Sequence, residues 1–154
     1  MSLSQLKQVE VQEFLSLDKL VVGQLKWKPL RGKSVTRYRM EFFGQSANKK
    51  FHFRVVASKC FRNFSVCMLI GNQAVTMYTE HFEHKNPDGT KVREPHKHRY
   101  TDEHGMRETY IPSDVDKHAN YSIKLLQCLK EWNVASQFSR APLLPSEEHL
   151  DVDH

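Results

Sequence analysis

The stretch from His81 to His104 reads HFEHKNPDGTKVREPHKHRYTDEH, and its reading decides how the chain folds. It holds five of the nine histidines. At Asn86-Pro87-Asp88-Gly89, Pro87 presets φ for a turn, Asn86 bonds the backbone ahead of it, and Gly89 accepts a positive φ. The turn predicts a hairpin joining antiparallel strands, roughly Val75–His84 and Thr90–Val92. A second extended run, His96–Thr101, follows the break at Glu94-Pro95. Side chains alternate along a strand, so His96, His98 and Tyr100 point one way and Lys97, Arg99 and Thr101 the other.

Three chemistries fit that pattern. The histidines of a polar hairpin can simply bond neighbouring carbonyls. Alternatively, His96 and His98 are metal ligands, because neutral imidazoles on a rigid strand suit zinc, iron or nickel. That reading needs a further ligand from His84, His81, Glu103 or His104, and a divalent metal is the only cofactor it implies. In the third, His84, His96 or His98 acts as general acid or base on a phosphate without metal. Arg99 or Lys97 then stabilises the transition state.

Two resemblances attach to the same residues. Gly89, His96-x-His98 and Glu103 resemble the first metal motif of the cupin barrels. The Gly-to-His gap is one residue longer than that pattern, no second motif follows, and a helix closes the chain. His84-Lys85-Asn86-Pro87-Asp88-Gly89 and Pro95-His96-Lys97-His98-Arg99-Tyr100 match more specifically. They resemble an uncharacterised family of small bacterial and phage-borne proteins over roughly Phe51 to Val134. That resemblance implies strands before the motif and a C-terminal helix after it. It implies no chemistry, although the distribution is compatible with a toxin-like or defence-related role.

Outward from the motif, strands precede it. Val35–Phe43 alternates Arg37, Arg39 and Glu41 with Tyr38, Met40 and Phe42, which sends the apolar set inward. Gly44–Asn48 reads as a hairpin loop and Phe51–Val56 as the next alternating strand. Phe64–Ile70 suits a central strand, turned back at Gly71-Asn72. Leu20–Trp27 leans to β structure, and Pro29-Leu30-Arg31-Gly32 reads as a turn. Ser2 or Ser4 caps a helix running to about Ser16. After the motif, Arg107–Ile111 is extended up to Pro112. Ser113 or Asp114 then caps a helix over about Val115–Trp132, whose Tyr121, Leu125, Cys128, Leu129 and Trp132 share one face.

The expected fold is therefore α+β: a mainly antiparallel sheet of about five to seven strands, an N-terminal helix and a C-terminal packing helix. Residues 1–134 read as one domain and residues 135–154 as a flexible acidic tail.

With 154 residues, 39% of them hydrophobic, the chain is long enough to bury a core. No apolar run approaches the ~20 residues of a membrane span, and no signal peptide is evident, so a cytoplasmic location is expected. Cys60, Cys67 and Cys128 form no C-x-x-C pair and read as thiols in a reducing compartment.

The net charge of +5 and pI near 9.1 favour polyanions. Arg37, Arg39, Lys49, Lys50 and Arg54 are the candidate nucleic-acid contacts. Trp27, Tyr38, Phe42, Phe51 and Phe53 are either a stacking platform beside them or the core. The expected partner is nucleic acid, RNA ahead of DNA. The alternative is a nucleic-acid-binding protein that the basic face blocks as an inhibitor or adaptor, and the third reading is a metal-dependent enzyme.

Overall fold

The computed structural model describes residues 5–22, 25–31, 36–60, 63–80 and 83–134. Ten strands and two helices follow in chain order: α1 (Gln8–Ser16), β1 (Lys19–Val22), β2 (Lys28–Arg31), β3 (Thr36–Ser46), β4 (His52–Cys60), β5 (Asn63–Ile70), β6 (Gln73–Thr79), β7 (His84–Lys85), β8 (Lys91–Val92), β9 (His96–Thr101), β10 (Gly105–Tyr110) and α2 (Tyr121–Glu131). Eight of the strands form one antiparallel sheet in the order β1-β3-β4-β5-β6-β9-β10, with β2 also on β3. β1 pairs with the Phe43–Ser46 end of β3 and β2 with its Thr36–Arg39 end, so the two share that edge. The fold is α+β, with one more strand in the main sheet than the upper expectation.

Alternation decides the two faces. Residues paired across strands lie on the same face. Met40, Ala57, Val66, Tyr78, Lys97 and Tyr110 therefore form one row across β3, β4, β5, β6, β9 and β10. Both helices cover that face. Phe14 of α1 is fully buried against Phe51 and Phe53, with ring centroids 5.4 and 5.7 Å away. In α2, Leu125, Cys128, Leu129 and Trp132 are buried as their spacing predicts, and Tyr121 stacks on Phe64 at 4.8 Å. Trp27, Phe42, Phe51 and Phe53 are buried too, so these aromatics build the core and not a stacking platform.

Charged groups anchor the helices. Lys97 is buried, bonded to Asp114 at 2.7 Å and to Glu131 of α2. Lys19 is buried as well, and its ammonium donates to the carbonyls of Leu15, Leu17 and Trp132, tying the ends of α1 and α2 together. Its burial pushes the pKa down to about 8.

Several expected boundaries move. α1 begins at Gln8, with Lys7 as its N-cap and the Glu10 carboxylate bonding the Lys7 N–H; Ser2 and Ser4 lie outside the described residues. Pro29-Leu30-Arg31 is not a turn but part of β2, an edge strand, where a missing N–H is tolerated. β3 continues through Gly44 to Ser46, because Gly44 lets the Phe53 ring and the Leu20 carbonyl approach closer than a Cβ would permit. α2 starts at Tyr121 instead of Val115. Asn120 caps it by accepting from the Ile123 N–H, while Asp114 is committed to Lys97 and Asp116 accepts from the His118 N–H. β6 ends at Thr79, so the Asn86–Gly89 turn closes a separate two-stranded hairpin, β7–β8, instead of extending the main sheet. Residues 135–154 lie outside the described residues.

Truncating the α2 face tests this packing. Leu125→Ala or Leu129→Ala is expected to destabilise the protein by about 2–5 kcal/mol. Unchanged thermal melts of both variants would contradict it.

Candidate metal centre

The second face of the sheet carries no helix among the described residues, and the histidines lie on it. His96 is paired with Thr79 and His98 with Met77 across β6–β9, in rows that alternate with the Tyr78–Lys97 row. The β7–β8 hairpin comes to this face from the outside. Its docking is specific: the Asn86 side-chain oxygen accepts from both the N–H and the hydroxyl of Thr109, at 3.0 and 2.6 Å. Gly89, at φ +93, lets the turn close, and the Asp88 carboxylate accepts from the Thr90 N–H. The hydrogen bonds at this carboxylate hold its pKa below the ordinary value.

The docked hairpin places His84 against the two strand histidines. Ring centroids are 5.8 Å apart for His84–His96, 5.0 Å for His84–His98 and 5.1 Å for His96–His98. One ligating nitrogen from each ring lies within 4.8 Å of the others. Nitrogens around a tetrahedral zinc, with bonds of about 2.0–2.1 Å, would be closer, so small side-chain movements complete the set.

Each ring is held by a main-chain carbonyl. His96 Nδ1 donates to Glu94 O at 2.8 Å, His98 Nδ1 to Met106 O at 2.8 Å, and His84 Nε2 to Arg107 O at 2.7 Å. A carbonyl accepts only, so these bonds fix the protons and leave Nε2 of His96 and His98 and Nδ1 of His84 as lone-pair donors. A hydrogen bond from the distal nitrogen is the usual support of a metal-bound imidazole. Thr79 Oγ1 lies 3.0 Å from His96 Nε2 and donates to it.

Burial pushes the pKa of His96 and of His98 below the ordinary imidazole value, opposed by the carbonyl bonds and assisted by the neighbouring histidines. Both rings are therefore neutral at pH 7 and able to bind a cation. The sign for stability follows. The unfolded chain binds more protons than the folded one as pH falls through about 6.5, so acid destabilises the fold. A urea-unfolding series from pH 7.5 to 5 should show stability falling with pH in His-intact protein, and a shallower fall in His98→Ala.

Other candidates are not gathered here. Lys97 and Arg99 face the helix side: Lys97 is buried between Asp114 and Glu131, and Arg99 lies over Tyr110 at 4.7 Å, with Glu108 at 3.9 Å. Neither shares the histidine face, so the phosphate-stabilising role expected of them lacks its geometry. Glu103 and His104 pair with each other at 3.5 Å and are outside the histidine cluster, and His81 lies outside the described residues. Cys67 does share the face. Its thiol is pushed up to about 11 by burial, which suits packing over nucleophilic work.

Of the basic candidates, Arg37 and Arg39 are exposed. Arg39 and Arg54 share the Glu41 carboxylate at 3.1 and 3.2 Å. Lys50 pairs with Glu13 of α1 at 2.8 Å, and Lys49 occupies the β3–β4 turn at φ 62. Phe43 was not singled out by sequence reasoning. It is 54% exposed and directly paired with Arg54. Its place after Phe42 at the end of an alternating run was the available signal.

Fold and site together define an α+β protein with a helix-covered antiparallel sheet and a three-histidine cluster on the opposite face. The chain belongs to a family of unknown function, DUF6978, which matches residues 6–134. No curated protein and no solved structure matches it. Among the described residues, no helix is long and apolar enough to cross a membrane.

Proposed function

We propose that the protein is a metal-dependent enzyme whose centre is a divalent transition ion, zinc by preference, held by His84, His96 and His98. The observation that supports this reading most is the anchoring of all three rings by separate carbonyls, with one nitrogen of each ring within 4.8 Å of the others. A hairpin histidine needs only one such bond. Three imidazole donors match catalytic zinc sites, which keep a fourth position for water, and they do not match closed structural sites of four ligands. His84 and His98 keep part of their surface in solvent, where an exchangeable fourth ligand fits. A metal held by His96 would take the lone pair that accepts from the Thr79 hydroxyl, leaving that hydroxyl to orient a water nearby. The chemistry such a metal would supply is a water acidic enough to act as a hydrolytic nucleophile near pH 7.

Elemental analysis of protein purified without an affinity tag is the test. About one equivalent of zinc, iron, nickel or copper per chain is expected. Metal at background level, with no uptake on titration, would remove the reading.

A further inference from the structure

We propose, resting on the three-histidine metal centre, that the helix-free face of the sheet is a track for single-stranded nucleic acid leading to that centre. The strand register sets out a polar row along which it would run. Lys28, Arg39, Ser58, Ser65, Thr79 and His96 are successive partners across β2, β3, β4, β5, β6 and β9, and every one is polar. Neighbouring strands are ~4.8 Å apart, so the row extends about 24 Å. That is room for about four nucleotides, the lower end of single-strand site sizes. The Ser58 and Ser65 hydroxyls are bonded to each other at 2.9 Å and retain further bonding capacity for phosphate oxygens.

Charge and apolar surface are arranged to match. On β2, β3 and β4 the charged residues of this face are Lys28, Arg37, Arg39 and Arg54 against one acid, Glu41. The adjacent row, Val56, Cys67, Met77 and His98, is mostly apolar and half-buried. Beyond it stands exposed Phe43, backed by Val22 and Arg54. Phosphates along the polar row with bases over the apolar row and Phe43 is the pattern of sequence-tolerant single-strand binding. A duplex hides its bases and cannot use Phe43.

The row ends at Thr79 and His96, which are buried, so a phosphodiester would meet the metal centre at the partly exposed rings of His84 and His98 beside them. A metal held there would supply, from one water, the hydroxide that adds to phosphorus, while the P–O bond to one sugar oxygen breaks and that oxygen takes up the proton the water released. One water is consumed, and the products are a phosphate monoester and an alcohol.

The test uses the full chain and fluorescent 12-nucleotide RNA, single-stranded DNA and duplex DNA, with anisotropy read across salt concentrations. Single strands should bind more tightly than duplex. Arg37→Gln/Arg39→Gln should lower the log–log salt slope by about 1.4, two contacts at ~0.7 each. Phe43→Ala should weaken single-strand binding several-fold. All three positions are exposed, and circular dichroism confirms folding. Parent protein stripped of metal with a chelator should still bind RNA but not cleave it, so a failed metal centre and a failed track give different results. No binding at low salt, an unaltered slope in the double variant, or preference for poly-glutamate over RNA would overturn the track. The last outcome would favour an acidic protein partner.

Discussion

His98→Ala protein, purified without a tag, is expected to lose its bound metal and to melt at the temperature of chelator-treated parent protein. Metal bound only by the folded state stabilises it by mass action, about 2.7 kcal/mol at a free concentration 100 times Kd and about 4.1 kcal/mol at 1,000 times. Chelation should therefore lower the melting temperature of the parent and leave that of the variant unchanged. His84→Ala and His96→Ala should behave alike, since the three rings approach one another within 4.8 Å at their ligating nitrogens. The other two chemistries give distinct outcomes. Histidines that only hold the hairpin would cost about 1 kcal/mol per lost bond, with no metal in the parent. Metal-free acid–base groups would leave stability intact and remove turnover.

Glu80→Ala is expected to destabilise the fold by about 3–5 kcal/mol, the range for removing one partner of a buried ion pair. The Glu80 carboxylate meets Lys124 of α2 at 2.7 Å and accepts from the Tyr78 hydroxyl at 2.5 Å, with both charged side chains almost wholly buried. Burial and the Glu80 bond push the Tyr78 hydroxyl well above its ordinary pKa, so it remains a donor. Removing the carboxylate strands an ammonium and a hydroxyl beneath the helix. Replacing both charges, as Glu80→Leu/Lys124→Met, should restore stability or raise it, because the desolvation penalty disappears with the pair. Urea unfolding measures both variants. A loss under 1 kcal/mol in Glu80→Ala would mean that the pair contributes little to holding α2 on the sheet.

Local chemistry made much of this legible in the chain. Alternation at Tyr38, Met40 and Phe42 assigned β3 its buried side, and the 3.6-residue stripe of Leu125, Cys128, Leu129 and Trp132 assigned α2 its face. The Asn86–Gly89 turn, the β9 boundaries and the shared face of His96 and His98 also followed from residue types and spacing. Each depends on neighbours within a few positions, where backbone preference and side-chain period act directly.

Long-range partners decided the rest. Asp114 suits a helix N-cap, yet it bonds buried Lys97, and Asn120 caps α2 in its place. Pro29 suits a turn, yet β3 offers it an edge. Lys97 and Lys124 look like surface charges, but they are buried because carboxylates from other elements meet them. The alternation that grouped His96 with His98 could not place His84, twelve residues before His96. Asn86 bonding Thr109 across the hairpin brings it there, a tertiary contact between residues 23 apart in sequence. The sequence by itself determined which residue types were available and which strand faces they occupied. Only the folded chain decided which of them meet, because that depends on strand order and docking, which no local preference encodes.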